Sequence, residues 1–212
     1  MKNLRKLVVA EFITIDGYIA GPTGHLDFGE SVDDVDGEFE KEMISTQLQW
    51  GLLLLGHHTY DELASSWASI PIEDNPIAKF MNTVSKVVVS SRLKSAPWGK
   101  WESAKIISQN IHEEVENLKK SPGKDIAVLG SANLSQQLVE IELVDEYSFI
   151  VFPVIAGSGI PLFSKMNHDL RFKLLEVRQL KSGLLIIRYQ PIKHKNTNSN
   201  IPESKNILDQ RI

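Results

Sequence analysis

The chain has 212 residues, 42% of them hydrophobic and 24% charged, with a net charge of −4. This is the balance of one ordinary globular domain with a little length to spare, and it gives no general attraction to nucleic acid or to an anionic membrane. The absence of cysteine excludes a disulfide framework, a thiolate metal site and a cysteine nucleophile.

The basic N-terminus is followed by only a short apolar run, Leu7 to Ala10, too short for a signal-peptide core. No stretch approaches the roughly 20 apolar residues that span a bilayer. A cytoplasmic location is therefore expected. From there, apolar and β-branched runs predict strands at Leu7–Ile15, Leu52–Leu55, Lys86–Ser90, Lys105–Ile107, Ile126–Leu129, Tyr147–Phe152, Phe172–Val177 and Leu184–Tyr189. Most of the earlier runs are continuous rather than alternating, as in strands buried on both faces. Between them, apolar stripes predict helices over Phe39–Leu48, Thr59–Trp67, Ile111–Leu118 and Leu134–Ile141. Strands alternating with helices imply a largely parallel sheet covered on both sides. The last two strands are separated by Gln179-Leu180-Lys181-Ser182-Gly183, which reads as a hairpin, so the sheet should finish antiparallel. The expected fold is a three-layer α/β/α domain with a mixed, mainly parallel sheet over residues 1–192. Residues 193–212 are polar and aperiodic and read as a tail, although Ile201, Ile207 and Leu208 could dock on a neighbouring subunit.

Ligands of open α/β sheets bind beyond the carboxyl ends of the strands, and four such places stand out. Thr14-Ile15-Asp16-Gly17-Tyr18-Ile19-Ala20-Gly21 carries glycines that permit close backbone approach and an apolar Ile19 that could lie against a flat ring. Gly56-His57-His58-Thr59 opens a helix whose free N–H groups and positive dipole end suit a phosphate. The adjacent histidines also fit a capped helix with two surface side chains. With no third ligand in view, no metal is expected. Ser90-Ser91-Arg92 offers two hydroxyls and a guanidinium. Gly130-Ser131-Ala132-Asn133-Leu134 is a turn of small residues into a helix that lets a pyrophosphate approach the backbone. Neither G-x-G-x-x-G nor the P-loop pattern is present. The set, rather than any one turn, points to a phosphorylated nucleotide.

Taken together, these segments resemble the dihydrofolate reductase-like fold. The stretches Leu143-Val144-Asp145-Glu146-Tyr147 and Phe152 to Phe163, with Ser182 to Tyr189, are similar to the C-terminal reductase domain of the bifunctional riboflavin-synthesis deaminase-reductase. The similarity covers about residues 4–191. It implies an NADPH-dependent reductase whose cofactor is held by Gly56, His57 and Thr59, by Ser90, Ser91 and Arg92, and by Gly130, Ser131, Ala132, Asn133 and Leu134. Ile19 and Ala20 would lie near the nicotinamide. Asp16, Pro153, Gly157 and Gly159 would shape the substrate side. His57 stands where the family commonly has Arg, and Ser131 and Ala132 stand where it has glycines. The zinc-deaminase signature is absent, so a stand-alone reductase domain is implied.

The substrate implied is a small pyrimidine- or pteridine-like heterocycle, with 5-amino-6-(5-phosphoribosylamino)uracil as one example, and the assembly implied is a homodimer through the C-terminal strands. A proton donor would be a buried carboxylate. The acidic stretch Gly24 to Phe39 offers Asp27, Asp34 and Asp36, each of which also reads as part of a solvated loop. Trp50, Trp67, Trp98 and Trp101 could stack on a ring or pack the core. Two other readings stay open: a nucleotide-binding module without turnover, and a flavodoxin-like FMN protein.

Overall fold

The computed structural model describes residues 4–29, 32–164, 166 and 169–192. The tail expected at 193–212 lies outside the described residues. In chain order the elements are β1 (Leu7–Thr14), β2 (Tyr18–Ala20), a 3-10 turn at Val35–Gly37, α1 (Glu38–Gln47), β3 (Trp50–Gly56), α2 (His57–Trp67), α3 (Pro76–Thr83), β4 (Ser85–Val89), β5 (Lys105–Ile107), α4 (Ile111–Lys120), β6 (Asp125–Leu129), α5 (Ala132–Glu140), β7 (Glu146–Phe152), β8 (Ile160–Pro161), β9 (Phe172–Gln179) and β10 (Leu185–Pro191).

Eight strands form one sheet in the order β5-β4-β3-β6-β1-β7-β10-β9. From β5 to β7 the neighbours run parallel, and β10 is antiparallel to both β7 and β9. The short β2 and β8 pair antiparallel beside this sheet. The mixed, mainly parallel sheet and its antiparallel finish are as the sequence predicts.

The leucine run of β3 explains the layering. Leu52 and Leu54 face a core shared with Val115 of α4 and Leu134 and Leu138 of α5. Leu53 and Leu55 face the opposite core, with Tyr60 of α2 and Met81 of α3. A strand sandwiched this way has no polar face, which is why it reads as an unbroken apolar run. Each leucine so buried contributes roughly 1.5–3 kcal/mol relative to exposure. A third core lies under α1, where Phe12, Phe28, Phe39 and Phe152 meet with ring centroids 5.2–6.4 Å apart.

Three elements escape the sequence reading, and most of the predicted boundaries move by one or two residues. β2 and β8 are too short to show a period. α3 is a short helix of about two turns, yet its start is written plainly: Pro76 sits at the first position, where no N–H is needed, and the Asn75 side chain accepts from the Ala78 N–H at 2.8 Å. α2 begins at His57 rather than Thr59, because Gly56 itself is the extended cap residue. The tryptophans at 50 and 98 are core residues. Trp98 is fully buried and donates its indole N–H to Asn82 Oδ1 at 2.8 Å, and Trp50 packs on Phe80. Trp67 and Trp101 pack at the edge of the same core. No helix among the described residues is long and apolar enough to cross a membrane.

Candidate functional site

Register brings the predicted turns to one edge of the sheet. Gly56, the last residue of β3, pairs with Val89 in β4, and Leu54 pairs with Val128 in β6. Ser90 and Gly130 therefore leave their strands on either side of Gly56. Their side chains close the gaps. Ser90 Oγ lies 3.2 Å from His57 Nδ1 and accepts the N–H groups of Arg92 and Leu93, each at 3.2 Å. A Cβ on Gly130 would stand 2.9 Å from Thr59, and one on Gly56 would overlap the Ser131 hydroxyl. The three turns form one continuous surface.

Two helices begin on that surface. Neither α2, behind Gly56, nor α5, behind a left-handed Ser131 (φ 59°), has a side-chain cap. Their first-turn N–H groups and aligned dipoles favour an anion there. His58, Ser91, Arg92 and Asn133 are exposed around it, His57, Thr59 and Ser131 are half-buried, and Gly56 and Ser90 are buried. Ala132 and Leu134 turn their side chains into the cores and leave only backbone for a ligand. His57 and His58 each face a carboxylate one turn on, Asp61 at 3.2 Å and Glu62 at 3.6 Å. His25 reaches the same Glu62 at 3.2 Å and ties the loop after β2 to α2.

The N–H of Gly130 is already used. It donates to Glu11 Oε2 at 3.1 Å, and the Ser135 hydroxyl donates to Glu11 Oε1 at 3.4 Å. Glu11 lies in the middle of central strand β1 and is 6% exposed. Burial pushes its carboxyl up to about 8, against the opposing pull of those two hydrogen bonds. Sequence reasoning passed over Glu11, although a lone carboxylate inside the apolar run Leu7–Thr14 was a visible signal.

On the substrate side of the predicted site, at the ends of β1 and β7, Asp16 acts as a clamp. Its carboxylate accepts from the Thr14 hydroxyl at 2.6 Å and from the N–H groups of Ala156 and Gly157 at 3.1 and 2.7 Å. The Thr14 hydroxyl, and after it the two backbone donors, hold its pKa down at about 2. Asp16 and Gly157 thus meet directly. Gly159 lies so close to the Ala20 carbonyl that a Cβ has no room, and Pro153 is exposed just past β7. Ile19 and Ala20 are buried, Ile19 among Ile13, Leu162 and Ala132 of α5. The strand β2 therefore leans on the Gly130–Ala132 turn.

The three acidic candidates are not brought together, and none is buried. Asp27 accepts from the Thr23 hydroxyl at 3.2 Å. Asp34 accepts the N–H groups of Phe39 and Glu40 at 2.8 and 3.1 Å, at the start of α1. Asp36 is paired with Lys181 at 2.6 Å. Each of these carboxylates is satisfied at the surface, by a hydroxyl, by backbone N–H groups or by a lysine, so none has a reason to be buried. The buried carboxylates among the described residues are Glu11 and Glu146. Glu146 stands at the opposite end of the sheet, at the start of β7, neutralised by Lys6 at 2.9 Å and by Arg188.

A family model described as the RibD C-terminal domain matches residues 5–186. The chain is 30% identical over 191 residues to the uncharacterized protein YyaP of Bacillus subtilis (strain 168), covering 87% of this chain and 94% of that protein. It is 24% identical over 175 residues to YwjB of the same organism, also uncharacterized, covering 82% and 92%. Among solved structures, a candidate riboflavin biosynthesis protein from Shewanella sp. PV-4 superposes with a TM-score of 0.74 at 20% identity, covering 89% of this chain and 99% of that one. The deaminase/5-amino-6-(5-phosphoribosylamino)uracil reductase of Thermotoga maritima superposes with a TM-score of 0.64 at 13% identity, covering 90% of this chain and 58% of that longer one. At these identities the structural likeness establishes the fold.

Proposed function

This chain belongs to the RibD C-terminal domain family, and on that footing we propose that it is an NADPH-dependent oxidoreductase acting on a small heterocycle of the pyrimidine or pteridine kind. The observation that carries the reading is the meeting of Gly56, Ser90 and the Gly130–Ser131 turn on one surface, with two uncapped helix starts directed at it. When bound, the cofactor supplies a hydride. The chain supplies position. The first turns of α2 and α5 hold the pyrophosphate. Ser90, Ser91, Arg92 and His57 hold the adenosine phosphates. Ile19 and Ala20 back the nicotinamide, and the loops joined by Asp16 border the substrate. With Asp27, Asp34 and Asp36 exposed, the proton that follows the hydride comes from water, which suits an imine-type substrate. The reductase named for the Thermotoga maritima neighbour acts on such a pyrimidine.

The exposed candidate acids also favour a second reading, a nucleotide-binding module without turnover. The FMN reading loses its support, because a flavodoxin-like sheet has five strands in the order 2-1-3-4-5, whereas this one has eight and ends antiparallel. Tryptophan fluorescence titrated with NADPH and with NADH, followed by cofactor oxidation across a panel of heterocycles, tests the proposal. Binding with oxidation by one substrate class is the expected result. Binding without oxidation supports the module, and no binding of either cofactor refutes both.

A homodimer through the β9 edge belongs to the same proposal. This last strand of the sheet exposes Leu174, Leu175 and Val177 at 50, 45 and 58%, and an open apolar edge is a template for pairing. Light scattering should give twice the chain mass, falling to one chain mass in Val177→Lys.

A further inference from the structure

Glu11 is the one group at the site whose presence the cofactor reading does not explain. It is a carboxylate buried in the central strand, and it faces the turn that would receive a pyrophosphate. Each packed element presents it with a neutral group. The end of β6 offers the Gly130 N–H, α5 offers the Ser135 hydroxyl, and β7 offers Phe149 beside it in register. No charged group contributes to its protonation balance, which burial and these two hydrogen bonds set. Of the titratable groups in α2's first turn, His57 is engaged with Ser90 and Asp61, His58 faces Glu62, and Tyr60 donates to the Pro97 carbonyl.

We propose, on the basis of the reductase reading, that Glu11 is a positioning residue for the cofactor turn that works as a neutral carboxylic acid, and that its ionisation weakens the hold on the dinucleotide. As the bonds stand, both oxygens accept, from Gly130 and from the Ser135 hydroxyl; in the neutral form one oxygen still accepts from Gly130, and the Ser135 hydroxyl turns to accept the proton carried by the other. The left-handed pair Gly130 and Ser131 (both φ 59°) is then fixed from below without placing a negative charge there. Loss of the proton sets a buried anion directly beneath the helix start that receives the pyrophosphate. Two like charges in a low-dielectric setting repel strongly, so cofactor binding and proton binding at Glu11 favour each other. By linkage, the bound cofactor raises the proton affinity of Glu11, and binding above its midpoint takes up a proton.

The test is the dissociation constant of NADPH, followed by fluorescence between pH 6 and pH 9.5, for the native chain and Glu11→Gln. The amide reproduces both hydrogen bonds and cannot ionise. The native constant should weaken by about tenfold across the alkaline half of that range, while Glu11→Gln stays within about twofold of its neutral value. Lys86 is also held near 8 by burial. It lies at the start of β4, away from Ser90, and is common to both proteins, so it cannot produce a difference between them. Calorimetry of the native chain in two buffers of unlike ionisation enthalpy gives a readout that needs no variant, and proton uptake on binding is expected near pH 8. A pH-independent native affinity, the same pH dependence in both proteins, or binding without proton uptake overturns the role of Glu11 and leaves the reductase reading standing. Failure of the native chain to bind either cofactor at any pH overturns the reductase reading and this role with it.

Discussion

Gly56 and Ser131 stand against each other across the gap between β3 and α5, with the serine hydroxyl occupying the space that a Cβ on residue 56 would need. The backbone of Gly56 is ordinary (φ −75°, ψ 162°), so alanine there meets no conformational penalty and the steric conflict alone decides its effect. Gly56→Ala should cost roughly 1–3 kcal/mol of stability through overpacking and weaken NADPH binding by about tenfold or more. Ser131→Gly removes the obstructing hydroxyl and suits the left-handed backbone at φ 59°. The double variant should recover most of both losses. Thermal unfolding and fluorescence titration of all four proteins close the cycle, and strict additivity would show that the two turns are not in contact.

The contact could not have been foreseen, although the turns could. Continuous apolar runs such as Leu52–Leu55 mark buried parallel strands because no face of them is wet, and the small residues after them mark the strand ends. Strand order is a different kind of information. Nothing local in Gly56 or Gly130 states that β3 and β6 are neighbours, since that follows from how Leu52 and Leu54 share a core with α5. The acidic candidates failed for a related reason. A carboxylate in a polar loop and one in a buried strand are the same letter, and Asp34 is consumed as a helix-start acceptor. Glu11 was legible as an anomaly, but its partners Gly130 and Ser135 lie more than a hundred residues along the chain.

Arg92 and His57 bear on the choice between NADPH and NADH. Ser90 fixes the turn that carries Arg92 by accepting its N–H, which sets a guanidinium at the rim of the surface. Arg92→Ala should weaken NADPH by about tenfold and NADH by no more than about twofold at low salt, because only the former carries a 2′-phosphate on its adenosine ribose. The gap should shrink at high salt as the exposed pair is screened. His57→Arg should widen it. Equal losses for the two cofactors would place the ribose phosphate elsewhere.

Asp16 holds the β1–β2 turn to the loop after β7 through Ala156 and Gly157. Its folded pKa, about 2, is depressed from 3.8, so the clamp is fully present above the unfolded value and is lost as pH falls from about 4 towards 2. Asp16→Ala should abolish that acid dependence and raise KM for the substrate several-fold, with the cofactor dissociation constant unchanged. Hydrogen exchange at the Ala156 and Gly157 amides reads the clamp directly. Both should be protected in the native chain at neutral pH and fast in the variant. Unchanged exchange would show that the loop is held by other contacts.

Glu11 makes the opposite prediction for stability. Its pKa is raised from 4.5 to about 8 on folding, so the folded chain holds a proton that the unfolded chain has released. Stability is complete below the unfolded value, falls as pH rises through the interval between about 4.5 and 8, and is level above it. At about 1.4 kcal/mol for each tenfold change in proton affinity, the loss amounts to several kcal/mol, an appreciable part of a domain's whole margin. Glu11→Gln has no proton to lose. Its Tm should match that of the native chain near pH 4.5 and exceed it increasingly up to pH 8, the interval over which the native carboxyl is driven to ionise. This comparison involves no ligand, so it checks the buried neutral acid independently of any cofactor. A Tm difference between the two proteins that stays constant over the interval would mean that Glu11 is already ionised in the fold and is stabilised by its two hydrogen bonds rather than by its proton.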